Sequence, residues 1–96
     1  MTVHEKTYRE FFDLAPDDYI FSEISSQLAS EIHHLYPKSM GGRKTFTHNG
    51  KKYPIECIEN YIALTREEHE LAHANHFTKE QLWDIHKEKM KVWRVN

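Results

Sequence analysis

The sequence predicts a single small α+β domain, and three observations carry that expectation. Asn49-Gly50 lies between two β-favouring stretches, the composition of a type I′ hairpin. Thr65 and Thr78 each stand three residues before a Glu or Gln at the head of an amphipathic stretch, the capping-box signature of a helix start. Tyr8, Phe11 and Phe12 repeat at helical spacing near the N-terminus. With 96 residues, 39% of them hydrophobic, the chain can build one thin core.

Taken in order, residues 7–14 read as a short amphipathic helix whose aromatics pack inward. The turn chemistry of Ala15-Pro16-Asp17-Asp18 ends it. A short strand ending in His33-His34 then enters a loop in which Gly41-Gly42 supplies backbone freedom. The hairpin over 44–55 is basic and carries Phe46 and Tyr53. It reads either as an arm that tracks a nucleic-acid backbone or as a solvated hairpin whose lysines keep an edge soluble. Residues 56–64 read as a second strand, and the helix capped by Thr65 is expected to run to about Phe77. The last helix starts at Thr78 and should bury Leu82, Trp83, Ile85, Met90 and Trp93. No repeat, low-complexity segment or linker interrupts the pattern.

The formal charge of −2 hides an uneven distribution. Residues 1–31 hold seven acids against Lys6 and Arg9, whereas 32–55 hold Lys38, Arg43, Lys44, Lys51 and Lys52 and no acid. Residues 56–78 are acidic again, and the tail from Lys79 is mildly basic. A phosphate backbone meets local charge rather than the total, so the positive block is the candidate footprint. Cys57 is the only cysteine, which excludes an intrachain disulfide and fits a reducing compartment. No apolar run approaches a membrane span and the charged start is unlike a signal peptide. The expected setting is the cytoplasm of a bacterium or a phage-infected host, with no membrane partner.

Chemistry concentrates in the histidines. His33 and His34 are adjacent on the first strand, Asn60 stands near the second, and His69 and His73 are one helical turn apart. That last spacing is one a metal ion can bridge. In order and spacing this set resembles the HNH endonucleases, the ββα-metal group that includes colicin DNases and many phage-encoded nucleases. The match covers roughly residues 18–73. The nine positions from Asn60 to His69 and the four from His69 to His73 fit the colicin-type pattern, as does acidic Glu31 two before His33.

The resemblance implies a ββα-metal (His-Me finger) core over about 31–77, within one HNH endonuclease domain spanning 1–96. An extra hairpin and flanking terminal helices would complete the fold. It implies a metal-dependent endonuclease that hydrolyses DNA phosphodiester bonds with one divalent ion. His33, His69 and His73 would be the ligands, His34 the general base, and Asn60 the side chain that ties the loop and orients the base. Three imidazoles suit zinc, nickel or manganese, while HNH relatives work with magnesium or manganese, so the ion stays open among the four. DNA would be held mainly through its backbone by Lys38, Arg43, Lys44, Lys51 and Lys52, and a homodimer is admitted. The competing function is a non-catalytic nucleic-acid-binding or structural metal domain on the same scaffold. A toxin-like nuclease with a dedicated inhibitor is a weaker third.

Two features test the resemblance. Many phage-type relatives carry two Cys-x-x-Cys pairs that bind a structural zinc, and the matching positions here are Ser22, Ser25, Thr65 and Glu68. That zinc is therefore absent, and the terminal helices or a second subunit are expected to compensate. Adjacent strand residues also point to opposite faces, so His33 and His34 share a cleft only if the strand ends there. His76, three after His73, is a rival ligand or phosphate contact. His4, His48 and His86 are expected to be ordinary surface residues.

Overall fold

The computed structural model describes residues 2–37 and 42–95 as an α+β domain with three helices and two small antiparallel sheets. Lys38 and Gly41 lie outside the described residues. Among the described residues, no helix is long and apolar enough to cross a membrane.

Helix α1 (Val3–Phe11) begins earlier than the aromatics alone suggest, because Thr2 caps it: its hydroxyl accepts from the Glu5 N–H at 3.2 Å. It stops at Phe11 because Asp13 takes a positive φ of 55°. Arg9 fastens the following turn by donating to the carbonyls of Ala15 (2.7 Å) and Asp18 (2.8 Å). Strand β1 (Glu31–His34) pairs antiparallel with a strand over Tyr61–Leu64, while β2 (Thr45–His48) and β3 (Lys51–Pro54) form the second sheet. Asn49 and Gly50 between β2 and β3 have φ of 50° and 79°, the double positive φ that a type I′ turn requires.

The strand expected over 56–64 is shorter. Residues 56–60 turn instead, ending in a 3-10 turn at Ile58–Asn60, so that β4 spans only Tyr61–Leu64. Asn60 uses its side chain on the backbone, as described below, and a regular strand would not leave it free to do so. Helix α2 (Arg66–His73) has the expected capping box between Thr65 and Glu68 but ends before Phe77. Asn75 adopts φ 63° and closes a Schellman cap, with Asn75 N–H to Ala72 O at 3.1 Å and His76 N–H to Leu71 O at 2.9 Å. Helix α3 (Lys79–Val95) starts at the second box: Gln81 N–H donates to Thr78 Oγ1 (3.1 Å) and Thr78 N–H to Gln81 Oε1 (2.9 Å).

β4 is the centre of the molecule. All four of its residues are buried, and the two-residue alternation of a strand sends them to two different cores. Ile62 and Leu64 join Leu35, Phe46, Ile55, Leu82 and Trp83, which pack the hairpin against the start of α3. Tyr61 and Ala63 join Tyr8, Phe12, Ile32 and Met90, which pack α1 against the rest of α3. Of the five residues expected to be buried on α3, Leu82, Trp83 and Met90 are, Ile85 is half-buried, and Trp93 is 44% exposed.

The four positions that match the zinc cysteines of the resembling nucleases are drawn together by hydrogen bonds. Ser22 Oγ donates to Glu68 Oε1 at 2.6 Å and accepts from the N–H of Ile24 and Ser25. The same carboxylate accepts from Thr65 N–H at 2.8 Å and from the Ser25 hydroxyl. Burial opposes ionisation of Glu68, but these donors together outweigh it and hold the carboxyl below its ordinary value. The polar knot thus joins the 22–25 turn to the head of α2 through hydrogen bonds.

Candidate metal centre

β1 and α2 build the site together. In the β1–β4 register His33 lies opposite Ile62 and His34 opposite Tyr61, so the two histidines leave the strand on different faces. His33 faces α2, where one helical turn separates His69 from His73. The three imidazoles offer nitrogen atoms that all lie within 4.8 Å of one another. His69 Nε2 and His73 Nε2 are 2.9 Å apart, and the His33 ring meets the other two edge-on at 4.7 and 5.7 Å between centroids.

The donor chemistry fits a cation. Behind His69, the Glu31 carboxylate accepts from Nδ1, which fixes the tautomer and aims the Nε2 lone pair at the cluster. Burial first, then the fields of His69, His73 and His34, push the His33 pKa down to about 4. His33 is therefore neutral, the ligand form, throughout the physiological range. Imidazole nitrogens that share a tetrahedral ion stand a little over 3 Å apart, on the order of the closest spacing here. His76 takes no part: it lies beyond the cap at Asn75, off the helix, and is exposed.

His34 is one residue away and differently engaged. Its Nε2 lies 2.7 Å from Glu56 Oε1, which also accepts from the Tyr61 hydroxyl at 3.1 Å. With the carboxylate accepting, Nε2 carries the hydrogen and Nδ1 is left as the acceptor. Burial, then the bond to Glu56, keeps the Tyr61 hydroxyl protonated well above its ordinary range. His4, expected at the open surface, instead packs edge-on against His34 at 5.0 Å between ring centroids. Because β1 ends at His34, one cleft of about 220 Å³ opens beside both histidines, its walls shared with Pro37, His73 and Lys79.

Asn60 is fully buried and closes the loop behind the site. Its Oδ1 accepts from Tyr36 N–H at 2.7 Å, and its Nδ2 donates to the carbonyls of Tyr36 and Ile55, both at 2.9 Å. One amide thus clips the end of β1 to the residue that follows β3.

The basic residues are not one surface. Arg43, Lys44, Lys51 and Lys52 are all exposed, but strand alternation puts Lys51 on the face of Tyr53 and Lys52 on the opposite face. Phe46 is 4% exposed and part of the core, and so is not available to lie against a duplex. Cys57 offers no nucleophile, since burial and then Glu59 raise its pKa to about 11.

Two other histidines are not the surface residues that the sequence led us to expect. His48 is buried against Trp83, ring centroids 4.0 Å apart, and its Nδ1 shares a hydrogen bond of 2.8 Å with the Tyr36 hydroxyl. Glu80 Oε2 lies 3.3 Å from its Nε2, off the line of a hydrogen bond. His86 is completely buried: Nε2 donates to Ile58 O at 2.6 Å and Nδ1 faces both oxygens of buried Glu23 at 2.9 and 3.0 Å. Its position midway between Leu82 and Met90, on the apolar ridge of α3, was the available signal.

No protein-family model, curated protein or solved structure matches the chain.

Proposed function

We propose that the protein is a one-metal endonuclease of the HNH kind that hydrolyses DNA phosphodiester bonds. β1, β4 and α2 would be its ββα core. The observation that carries the reading is the convergence of His33, His69 and His73, with His34 on the same cleft and outside the ligand set. His33, His69 and His73 would hold a divalent ion, which when bound supplies positive charge against that building on the phosphate. The chain's own residues do the rest. His34 Nδ1 accepts a proton from water as the water oxygen bonds to phosphorus and the bond to the leaving 3′ oxygen breaks. Glu56 holds the His34 ring through Nε2, and Asn60 fixes the loop that follows it.

A non-catalytic metal-binding domain on this scaffold is the second reading, favoured by the ion-pair-like contact that occupies His34 Nε2. Four alanine variants separate the two. His34→Ala keeps metal affinity but loses nicking of supercoiled plasmid by about two to four orders of magnitude, the usual contribution of a general base. His33→Ala, His69→Ala and His73→Ala lose both, read by calorimetric metal titration beside the nicking assay. Normal cleavage by His34→Ala, or metal loss in that variant, overturns the assignment of roles. A wild type that binds metal and never nicks leaves the second reading.

A further inference from the structure

Three lysines that are scattered along the sequence are brought to one side of the domain. On α3, Lys79, Trp83 and Lys87 follow one another at four-residue intervals, which places them along a single ridge. Trp83 is the buried middle of that ridge and meets Phe46, His48 and Tyr53 of the hairpin. Tyr36, Phe46 and Tyr53 extend the contact as a stack of nearly parallel rings, with centroids 4.4 and 5.3 Å apart. Each lysine is mounted on this aromatic base. Lys79 Nζ lies 4.6 Å from the Tyr36 centroid, Lys87 Nζ lies 5.3 Å from Trp83 and 5.8 Å from Tyr53, and Lys51 Nζ lies 5.2 Å from Tyr53.

Ring faces restrain the ammonium groups without neutralising them, which lowers the entropy lost when they bind an anion. One end of the row opens into the histidine cleft, since Lys79 lines the same cavity as His33, His34 and His73. The other end is carried by Lys51 and Lys87. Glu80 turns its carboxylate toward the aromatic base, 3.3 Å from His48 Nε2, while Asp84 and Glu88 lie one position after Trp83 and Lys87, about 100° around the axis of α3.

We propose that Lys79, Lys87 and Lys51 form the track along which a nucleic-acid phosphate backbone enters the histidine cleft. Lys52, Arg43 and Lys44 stand outside it. The inference deepens the nuclease reading and rests on it for the identity of the partner. A chain of regularly spaced phosphates is the ligand that a row of separate cations leading into a metal cleft would match.

The test is fluorescence-anisotropy titration of a labelled duplex with the full chain in EDTA, at several salt concentrations, so that binding is read without cleavage. The triple variant Lys51→Gln, Lys79→Gln, Lys87→Gln should bind on the order of tenfold or more weakly, with the log–log salt slope shallower by about 0.9 for each phosphate that is no longer neutralised. Lys→Arg at the same positions should restore binding, and Arg43→Gln, Lys44→Gln, Lys52→Gln should change little. Thermal melts confirm that the compared variants are folded. Equal weakening in both triple variants, weakening in the second alone, or no duplex binding by the wild type overturns the track. A wild type that binds through these lysines and never cleaves with any divalent ion removes the nuclease reading and leaves the track standing.

Discussion

His33, His69 and His73 on one side of β4, and His86 with Glu23 on the other, are both groups of imidazole and carboxylate, but they are completed differently. In the buried group every polar atom is answered. Glu23 accepts from the Tyr8 hydroxyl at 2.7 Å and from Ala63 N–H at 3.3 Å besides facing His86, and Lys89 donates to Tyr8 at 3.2 Å. Burial and Glu23 together hold the Tyr8 hydroxyl far above its ordinary range, fixing it as a donor. In the open group, His69 has the Glu31 carboxylate behind it, while its Nε2 and that of His73 point at one another. With Nδ1 of His69 donating to Glu31, its Nε2 accepts from His73 Nε2–H, a bond that a change of tautomer opens for a cation. The lesson is that a buried network with every partner fixed serves the fold, whereas a half-exposed one whose nitrogens converge is the group that could take up an ion.

The largest expected effect would break or establish that contrast. Leaving a buried carboxylate or imidazole without its hydrogen-bonding partner costs about 3–5 kcal/mol, so His86→Ala and Glu23→Ala should lose most of a small domain's stability in urea denaturation. His33→Ala should cost about 1 kcal/mol or less in the same experiment while abolishing metal affinity. If both histidine variants are destabilised alike, the open group is structural after all.

Next in size is the polar knot at Glu68, a closed network that contains no histidine. Glu68→Ala removes the acceptor for Ser22, Ser25 and the Thr65 N–H and should cost about 1–3 kcal/mol. Metal affinity measured by calorimetry on the folded fraction should stay unchanged. A parallel fall in affinity would mean that α2 is not held independently of its cap.

The last effect is a slope against pH. His33 is depressed to about 4 in the folded chain and returns to about 6.5 when unfolded. Between those values the unfolded state binds the extra proton, so stability rises with pH there. This contribution is fully present above about pH 6.5 and is lost as pH falls toward 4. In chelator-treated protein the His33 ring should titrate near 4 by NMR, and His33→Ala should flatten the stability profile between about pH 4 and 6.5. A His33 midpoint close to the ordinary imidazole value would show that the cluster does not crowd its members.

Local chemistry was the legible part of the sequence. Both capping boxes, the Asn49-Gly50 turn and the strand ending at His34 depend on neighbours within a few residues, and the structure has each of them. The pairing of His69 with His73 was legible from one helical turn, whereas His33 joined them only through the resemblance to HNH nucleases. What depended on distant partners was hidden. Nothing beside His86 or His48 in the chain names Glu23 or Trp83 as its neighbour. The end of α2 was missed because Asn75 terminates it through a positive φ, which the apolar spacing out to Phe77 does not register. The basic hairpin looked like one surface because sequence proximity ignores the alternation that parts Lys51 from Lys52.

The Asn60 clip has a consequence for how such a chain can change. Because one amide binds Tyr36 and Ile55 together, the backbone leaves β1 and returns to Asn60 through a fixed gate. Doubling the length of a flexible loop costs only about 0.6 kcal/mol in closure entropy. The Asn49-Gly50 turn at the tip of the hairpin could therefore be lengthened with little strain reaching β1 or α2, whereas Phe46 and His48 tie the strands themselves to Trp83. The tip of the hairpin is thus free to vary in length while the Asn60 gate keeps the histidines where they are.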